Sequence, residues 1–314
     1  MTKSFTSKMP IRLRAADILH GFERFLLSVQ AWQAESGEIV ALLGPSGSGK
    51  STFLNILAAR MVPDEGKVWY GSTPHIRVPL VPGHPRIKMV RQDFGQMPFK
   101  TVRDNLLEFA GIRSEAAEDR AVRTWIKTLD LAPALTEKAR GLSGGELQRL
   151  AIGQALIGRP GVLLLDEPFS HLDPYHKRRL QDILRDWQKR SGATVVMVVH
   201  DVRDAMEWAD RIDVMQDGSV VETGTPDRIY SRPQTHAMAH AFGRINERPQ
   251  KRVPKSLVKH PEAFVIDQTW YLRPEHLDES QVPSTALRVR VERSGYEAIQ
   301  IWEDAGQAWY TRVS

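Results

Sequence analysis

The sequence predicts an α/β protein whose helices cover both faces of a mostly parallel sheet. Two continuous apolar runs, 162–165 and 194–199, have the composition of strands that are buried on both faces. Between them, residues 175–190 repeat their apolar side chains with the period of a helix. A third apolar run, 39–43, is followed by a glycine-rich turn and then by the helical pattern of 53–59. Strands that alternate with helices in this way pair in parallel.

The glycine-rich turn carries the strongest local pattern in the chain. Its residues are Gly44, Pro45, Ser46, Gly47, Ser48, Gly49, Lys50, Ser51 and Thr52. A strand, such a turn and a helix in this order form a phosphate-binding P-loop. Glycine allows main-chain N–H groups to approach a ligand closely, and the helix N-terminus adds partial positive charge. We expect Lys50 to reach the outer phosphates and the Ser51 hydroxyl to ligate Mg²⁺. The alternative is an ordinary glycine-rich loop.

Length and composition limit the possible protein classes. The 314 residues allow one large domain with a smaller one, or two domains of similar size. The chain has no cysteine, which excludes disulfides, thiol chemistry and cysteine metal sites. Its net charge of +5 does not by itself indicate nucleic-acid binding. No signal peptide and no apolar run near the roughly 20 residues of a membrane helix is present, so we expect a soluble protein that meets a membrane only through a partner.

Two carboxylates follow the apolar run 162–165. Asp166 and Glu167 lie at the carboxyl end of the predicted strand, where open α/β sheets bind ligands. Asp166 is expected to hold Mg²⁺, through water, and Glu167 to orient the water that attacks a terminal phosphate. The alternative is a pair of acids in a loop after a core strand.

A third motif lies between the P-loop and these carboxylates, and consists of Leu142, Ser143, Gly144, Gly145 and Glu146. Ser143 is suited to cap the helix that follows. A serine hydroxyl, glycine N–H groups and a helix N-terminus together form an anion site. The alternative is a plain helix start.

With these three motifs in this order, residues 11 to about 240 resemble the ATP-binding cassette family, the nucleotide-binding subunits of ABC transporters. Residues 142–146 look like the family's signature sequence. The resemblance implies a RecA-like core, an antiparallel β-subdomain and a helical subdomain at about 93–158. It also implies ATP and Mg²⁺ as cofactors. Two subunits, as a homodimer or paralogous heterodimer, would pack head to tail so that the signature of one closes over ATP bound by the other.

The resemblance assigns three further roles. Gln92 looks like the Q-loop glutamine, which contacts Mg²⁺ and the attacking water. Asp173 belongs to a stretch similar to the D-loop, which crosses the dimer interface, and His200 looks like the switch histidine that contacts the γ-phosphate. The implied metal ligands are Ser51, Gln92 and, indirectly, Asp166.

Three aromatic side chains compete for the adenine ring. The family places a stacking aromatic before the P-loop strand. Phe22 fits best on spacing, with His20 and Phe25 as rivals, and any of them is alternatively packed in the β-subdomain.

The chain departs from the family's usual sequence at two places. Arg91 stands where the Q-loop often has phenylalanine, and Gly153-Gln154-Ala155 replaces the more usual Ala-Arg-Ala. We expect neither to affect the chemistry.

The stretch from Gln92 to Val102 is expected to form a groove for a short helix of a membrane subunit. Its apolar residues in a predicted loop suit a contact surface. Local packing is the alternative for each of them: Phe94, Met97, Pro98 and Phe99.

The chain is expected to divide into a nucleotide-binding domain, 1–243, and a linker plus small β module, 244–314. Residues 244–260 are basic, without an apolar period, and read as a solvated linker. Residues 271–277 resemble the Arg-Pro-Glu motif of the regulatory domain in some importer ATPases, and 287–291 and 298–302 alternate like strands. An unrelated β extension is the alternative.

The sequence therefore predicts the ATPase subunit of an ABC importer, lying on the cytoplasmic face of the cell membrane. Expected partners are transmembrane permease subunits and a solute-binding protein, with no nucleic acid. The alternatives are an exporter ATPase with separate membrane subunits, a soluble cassette ATPase that acts on nucleic acid or ribosomes, and a regulator without turnover. Long insertions or tandem cassettes, typical of the nucleic-acid class, are absent from the sequence.

Overall fold

The computed structural model describes residues 11–22, 25–74, 84–91, 95, 97–110, 115–170, 172–241, 246–249, 263–266, 269–272, 287–294, 297–304 and 307–312. The chain divides into two compact units, Met1–Thr223 and Gly224–Ser314. The domain boundary predicted at residue 243 stays a prediction.

The first unit alternates strands and helices along the chain. Its elements are β1 (Ile11–Phe22), β2 (Phe25–Glu35), β3 (Ile39–Leu43), α1 (Lys50–Leu57), β4 (Glu65–Tyr70), β5 (Thr73–Pro74), β6 (Ile87–Val90), α2 (Val102–Ala110), α3 (Glu115–Thr128), a 3₁₀ turn (Ala139–Gly141), α4 (Gly144–Ile157), β7 (Val162–Asp166), α5 (Pro174–Ser191), β8 (Thr194–Val198), α6 (Val202–Trp208), β9 (Arg211–Gln216) and β10 (Ser219–Gly224). The order confirms the predicted α/β class.

A six-stranded sheet, in the order β10-β9-β3-β8-β7-β6, forms the centre of this unit. Its strands β3, β7 and β8 are parallel neighbours, and every residue in them is buried. This is what their continuous apolar sequences require, because helices cover both faces of such a sheet. Parallel pairing also brings the carboxyl ends of β3, β7 and β8 to one edge. The P-loop, Asp166 and His200 follow those three ends.

Residues 211–224 form a hairpin at the end of this sheet. Strands β9 and β10 are neighbours at the end of the sheet. The residues between them, Asp217 and Gly218, both have positive φ values, 46° and 79°. Two consecutive left-handed residues are typical of the tight turns that suit the twist of a hairpin.

A second, antiparallel sheet has the order β2-β1-β4-β5. It is the antiparallel β-subdomain that the family resemblance implies. The indole Nε1 of Trp32 on β2 donates to Oδ2 of buried Asp213 on β9 at 2.7 Å. The Trp32 ring also meets Phe53 of α1 edge-on, with centroids 5.4 Å apart. These contacts fix the antiparallel sheet against the central sheet and the helix that follows the P-loop.

Helices α2, α3 and α4 lie in the range that the family resemblance gives to a helical subdomain, about 93–158. Gly153 of α4 packs where a Cβ atom would lie 2.8 Å from Cδ1 of Leu129 and 3.0 Å from Cδ2 of Leu106. A Cβ atom at this position would therefore require the Leu129 or Leu106 side chain to shift.

The second unit contains α7 (Pro226–Ser231), α8 (His236–Ala241), β11 (Asn246–Pro249), β12 (Phe264–Ile266), β13 (Thr269–Leu272), β14 (Leu287–Ser294), β15 (Glu297–Asp304) and β16 (Gln307–Arg312). It has two three-stranded sheets, β11-β13-β12 and β14-β15-β16. Strands β14 and β15 confirm the predicted alternation at 287–291 and 298–302. Residues 273–277, with the Arg-Pro-Glu motif, lie outside the described residues.

One expectation for this unit is wrong. The stretch 244–260 was expected to be a solvated linker, yet its residues Asn246–Pro249 form β11 and pair antiparallel with β13. The strand is polar in sequence and lies at the end of its sheet. Such a strand has no apolar alternation for the sequence to show.

Candidate nucleotide site

The P-loop has positive φ values at three glycines, Gly44, Gly47 and Gly49, and at two of them a neighbouring group also fills the space of a side chain. Gly44 has a φ of +146°, and a Cβ atom there would lie 2.0 Å from the main-chain oxygen of Met215. Gly49 has a φ of +96°, and its Cβ would lie 2.8 Å from Cζ of Phe25. The loop is thus fitted closely between the central sheet and the antiparallel sheet. Its shape explains why glycine occupies these positions.

Lys50 begins α1 and is 6% exposed. Its Nζ atom donates to the main-chain oxygens of Gly44 and Pro45, each at 2.9 Å. Burial lowers the pKa of Lys50 below its ordinary value, and the charges of Glu167 and Asp166 oppose that shift. The ammonium group is therefore held inside the loop and close to two carboxylates.

Ser51 and Asp166 meet across the sheet edge. The Ser51 hydroxyl donates to Oδ1 of Asp166 at 3.0 Å. Burial raises the pKa of Asp166, while the hydrogen bond from Ser51 and the charge of Lys50 act in the opposite direction. A hydroxyl and a carboxylate are hard oxygen donors of the kind that Mg²⁺ prefers. This donor pair fits the predicted metal site.

Glu167 and His200 form a second contact at the same edge. His200 Nε2 lies 2.6 Å from Glu167 Oε1. The Glu167 N–H donates to the oxygen of Val198 at 3.1 Å, and its φ is +52°. A non-glycine residue in the left-handed region is strained, and such strain concentrates at functional sites. The structure thus brings together Glu167 and His200, which are 33 residues apart in the chain.

Ser143 caps α4 through a capping box. Its Oγ accepts from the N–H of Glu146 at 3.3 Å, and the Glu146 carboxylate accepts from the Ser143 N–H at 2.9 Å. Hydrogen bonds from Ser143 lower the pKa of Glu146. Ser143 and Gly144 are exposed, whereas Leu142 is buried and anchors the motif. The predicted cap is confirmed, and the helix start is accessible from solvent.

Sequence reasoning missed a link between this motif and Glu167. Gln148, on the first part of α4, is fully buried, and its Nε2 atom donates to the main-chain oxygen of Glu167 at 3.4 Å. Gln148 lies three residues beyond Gly145, but a single buried glutamine has no pattern in the sequence. Its partner is identified only by the fold.

Asp173 caps α5 at the exposed surface. Its Oδ1 accepts from the N–H groups of Tyr175 and His176 at 3.0 and 3.1 Å, and its Oδ2 lies 2.6 Å from His176 Nδ1. The hydrogen bonds from His176 lower the pKa of Asp173. The structure therefore gives Asp173 a local capping role, and its D-loop role stays a prediction.

The three candidate aromatics form one cluster at the turn between β1 and β2. The Phe22 ring meets His20 edge-on at 4.8 Å and lies 6.2 Å from the Phe25 ring. Phe25 packs against Gly49, while the Phe22 side chain is 48% exposed. Phe22 is therefore the one of the three whose ring is most open to a ligand.

Two other predicted site residues, Gln92 and Phe94, lie outside the described residues. Of the remaining residues in the predicted groove, Phe99 is 70% exposed. Within the part of the chain that the structure describes, no helix combines the length and apolar character needed to cross a membrane.

Comparisons with known proteins agree with this geometry. Residues 27–170 match the family model described as ABC transporter. The chain is 38% identical over 219 residues to the Fe(3+) ions import ATP-binding protein FbpC of Rhizobium etli, covering 68% of this chain and 61% of that protein. It is 35% identical over 273 residues to the sn-glycerol-3-phosphate import ATP-binding protein UgpC of Ruegeria pomeroyi, covering 83% of this chain and 77% of that protein.

A solved structure is also similar. The dimeric structure of a post-hydrolysis state of the ATP-binding cassette MJ0796, bound to ADP and Pi, superposes with a TM-score of 0.61 at 28% identity. The match covers 68% of this chain and 98% of that chain. The chain spans only about 61% of the length of the iron-import relatives. With the family match and the long alignment to the glycerol-3-phosphate importer protein, these findings show that the chain belongs to the ATP-binding cassette family of ABC transporters.

Proposed function

We propose that this chain is the ATP-hydrolysing subunit of an ABC importer and works as a head-to-tail dimer with separate membrane subunits. One observation carries the proposal: the P-loop lysine, the Ser51–Asp166 pair and the Glu167–His200 pair converge at one edge of the sheet. A triphosphate bound at the N-terminus of α1 would meet all of them.

Binding would use groups that already point into the loop. Lys50 holds two main-chain oxygens with its ammonium group, and we propose that it exchanges them for phosphate oxygens of ATP. The positive end of α1 and the N–H groups of the glycine turn add to the attraction for an anion. Phe22, exposed beside the turn, would stack on adenine.

Ser51 and Asp166 would hold Mg²⁺, the latter through water, with Gln92 as a further ligand. When bound, the ion supplies charge neutralisation at the phosphates. The 3.0 Å hydrogen bond between Ser51 and Asp166 supports this assignment, because it places the two groups next to each other.

Glu167 would orient the attacking water and His200 would hold the carboxylate and contact the γ-phosphate. The oxygen of water would bond to the γ-phosphorus as the water gives a proton to the Glu167 carboxylate, the bond from that phosphorus to the bridging oxygen of ADP would break, and ADP and phosphate would result. Because the transition state is loose and highly charged, positioning and charge stabilisation carry the catalysis.

A second copy, or a paralogue, would complete each site. Ser143 and Gly144 are exposed at the positive end of a helix, which suits a phosphate bound by a facing subunit. The similar MJ0796 cassette is dimeric in its ADP-bound structure. Asp173, exposed at the start of α5, would lie in the same interface.

Import is favoured by the relatives, whose names share the import direction although their solutes differ. We propose that the loop of residues 97–101, called here the Phe99 loop, contacts a permease subunit through its exposed aromatic ring. The assembly would lie on the cytoplasmic face of the membrane and receive solute from a binding protein. The second unit would act as a regulatory domain.

Phosphate release from the purified full chain, with ATP and Mg²⁺, tests the enzymatic part. Turnover that requires Lys50 and Glu167 supports it, and a chain that binds ATP without turnover would be a regulator. Affinity purification from its own host tests the transport part. Recovery of permease subunits with a solute-binding protein supports import, and permease alone would indicate export.

A further inference from the structure

A buried polar contact joins α2 to α4, the helix that begins at the signature. Gln154 of α4 donates from Nε2 to the main-chain oxygen of Asn105 at 3.1 Å and to its side-chain Oδ1 at 3.2 Å. Gln154 is 5% exposed and Asn105 is fully buried. Because a buried amide is costly unless it is hydrogen-bonded, this contact favours one register between the two helices.

The residue beside Gln154 brings the helices close enough for that contact. Gly153 leaves no room for a Cβ atom against Leu106 of α2 and Leu129. Gly153 and Gln154 therefore act at the same helix contact.

Asn105 also closes the Phe99 loop. Its Oδ1 accepts from the N–H of Met97 at 3.0 Å. Its Nδ2 donates to the main-chain oxygens of Met97, Lys100 and Thr101 at 3.1, 3.2 and 3.0 Å. One side chain thus determines the shape of the loop and receives the hydrogen bonds of Gln154.

The Phe99 loop has a second connection to α4, through the main chain. Ala139 and Arg140 donate their N–H groups to the oxygens of Lys100 and Pro98, each at 3.0 Å. The Arg140 guanidinium lies 5.5 Å from the centroid of the exposed Phe99 ring. This segment runs directly into Leu142 and Ser143, so it ends at the start of α4.

We infer that Asn105 and Gln154 are positioning residues that make the Phe99 loop and the signature helix move as one body. The main-chain bonds from Ala139 and Arg140 join the loop to the segment before α4, whereas Gln154 joins it near the middle of that helix, so the two connections together oppose rotation of the loop relative to α4. Force on Phe99 is then transmitted to Ser143. The inference rests on the proposed function, since that function supplies the permease contact and the facing ATP.

Gln154→Met tests the contact, because it keeps length and removes the donor. The matched control is Gln188→Met, which removes a buried amide that donates to Gly37 and Ala193, away from α4. The first measurement is the hydrogen-exchange rate of the main-chain amides of Met97, Ala139 and Arg140 in the full chain. We expect about tenfold faster exchange there in Gln154→Met, and no change at these amides in the control.

The second readout is ATP-driven association in a Glu167→Gln background, which retains ATP. Gln154→Met should weaken association about tenfold while ATP affinity of the monomer stays within about twofold. Gln154→Arg keeps N–H donors for Asn105. Its amide exchange and its ATP-driven association should therefore match those of the parent. Gln154→Leu replaces the methionine variant if that one does not fold.

The outcomes separate the two proposals. If the parent chain neither associates nor hydrolyses ATP, the proposed function fails, and the exchange measurement still tests the contact. If the parent associates and Gln154→Met matches it in association and in exchange, the inference is wrong. Equal effects in the Gln188→Met control would also overturn it, since they would indicate a general loss of stability.

Discussion

His200 Nε2 lies 2.6 Å from Glu167 Oε1 at the carboxyl edge of the central sheet. The Glu167 main chain is in the left-handed region, and its N–H is bonded to Val198. The Glu167 carboxylate is thus oriented by two independent constraints, its left-handed main chain and its contact with His200. Such preorganisation costs nothing at the moment of reaction, which is what a water-orienting group requires.

Glu167→Gln should lower the ATP turnover number by about 10²–10⁴-fold, the usual contribution of a general base. ATP affinity should stay within about threefold, because Lys50 and the glycine turn remain. Phosphate release and nucleotide titration measure the two quantities. Glu207→Gln, an exposed residue on α6, is the control and should match the parent. Equal turnover of Glu167→Gln and the parent would remove the role given to this carboxylate.

Lys50→Met should weaken ATP binding by at least about tenfold, since it removes the one cation bonded inside the loop turn. The main-chain oxygens of Gly44 and Pro45 lose their donor, so the free energy of unfolding should fall by about 1–3 kcal/mol. Urea unfolding and nucleotide titration check both effects. Retained affinity would show that the glycine turn binds phosphate without this side chain.

Gly44→Ala should destabilise the fold far more than Gly47→Ala, although both glycines have positive φ. At Gly44 the new methyl group meets the Met215 oxygen, while nothing lies within 4 Å at Gly47. Left-handed strain alone costs about 1–2 kcal/mol, so we expect that value for Gly47 and a larger one for Gly44. Thermal unfolding of the two variants compares them. Equal losses would mean that the loop moves away from β9 at little cost.

The positions of the elements could be predicted where the sequence has a period. The apolar runs of β3, β7 and β8, the cap at Ser143 and the turn at Asp217 all depend on neighbours within a few residues. Strands that are buried on both faces pair in parallel. Parallel pairing brings Lys50, Asp166 and His200 to the carboxyl edge of the central sheet. The candidate site was predictable to that extent.

The contacts that fix the site could not be predicted. Gln148 with Glu167 and Gln154 with Asn105 join residues 19 and 49 positions apart, and each is one buried amide in an otherwise ordinary helix. The first contact depends on how α4 packs against the end of β7, and the second depends on how closely α2 and α4 approach beside Gly153. A periodic pattern indicates which face is buried, and it does not indicate which polar atom that face meets.

Ser143→Ala should lower the free energy of unfolding by about 1 kcal/mol, because α4 loses its N-cap. Thr225→Ala, which removes the N-cap of α7, is the matched control for capping. If Ser143 also contacts ATP on a facing subunit, only Ser143→Ala should reduce turnover. Reduced turnover in both variants would argue against that contact.

The charge of Glu146 should stabilise the same cap in a pH-dependent way. Its folded-state pKa is lowered, so the stabilisation is present above the unfolded pKa of about 4.3 and disappears as pH falls through the lower folded value. Glu146→Gln keeps the hydrogen-bonding geometry without the charge. The parent should therefore melt higher than this variant at pH 7, and the difference should shrink as pH falls below about 4.3 and vanish below the lowered folded-state pKa. A difference that persists in acid would assign the effect to packing.

Lys177 and Asp204 form an ion pair between α5 and α6, with Nζ at 2.6 Å from Oδ1 and 2.8 Å from Oδ2. The side chains are 27% and 10% exposed, so water screens the pair only in part. Helix α5 begins at Asp173 and α6 begins just after His200. We therefore expect Asp204→Asn to cost about 2 kcal/mol of unfolding free energy.

Asp204→Asn should also lower turnover about tenfold at unchanged ATP affinity, because His200 loses its support from α5. The double variant Lys177→Met, Asp204→Leu removes both charges and should recover most of the stability, since no unpaired charge stays in the partly buried site. Recovery of stability without recovery of turnover would show that the ion pair positions His200. Recovery of both stability and turnover would show that apolar contact holds α6 as well as the ion pair does, so the charges themselves would not position His200.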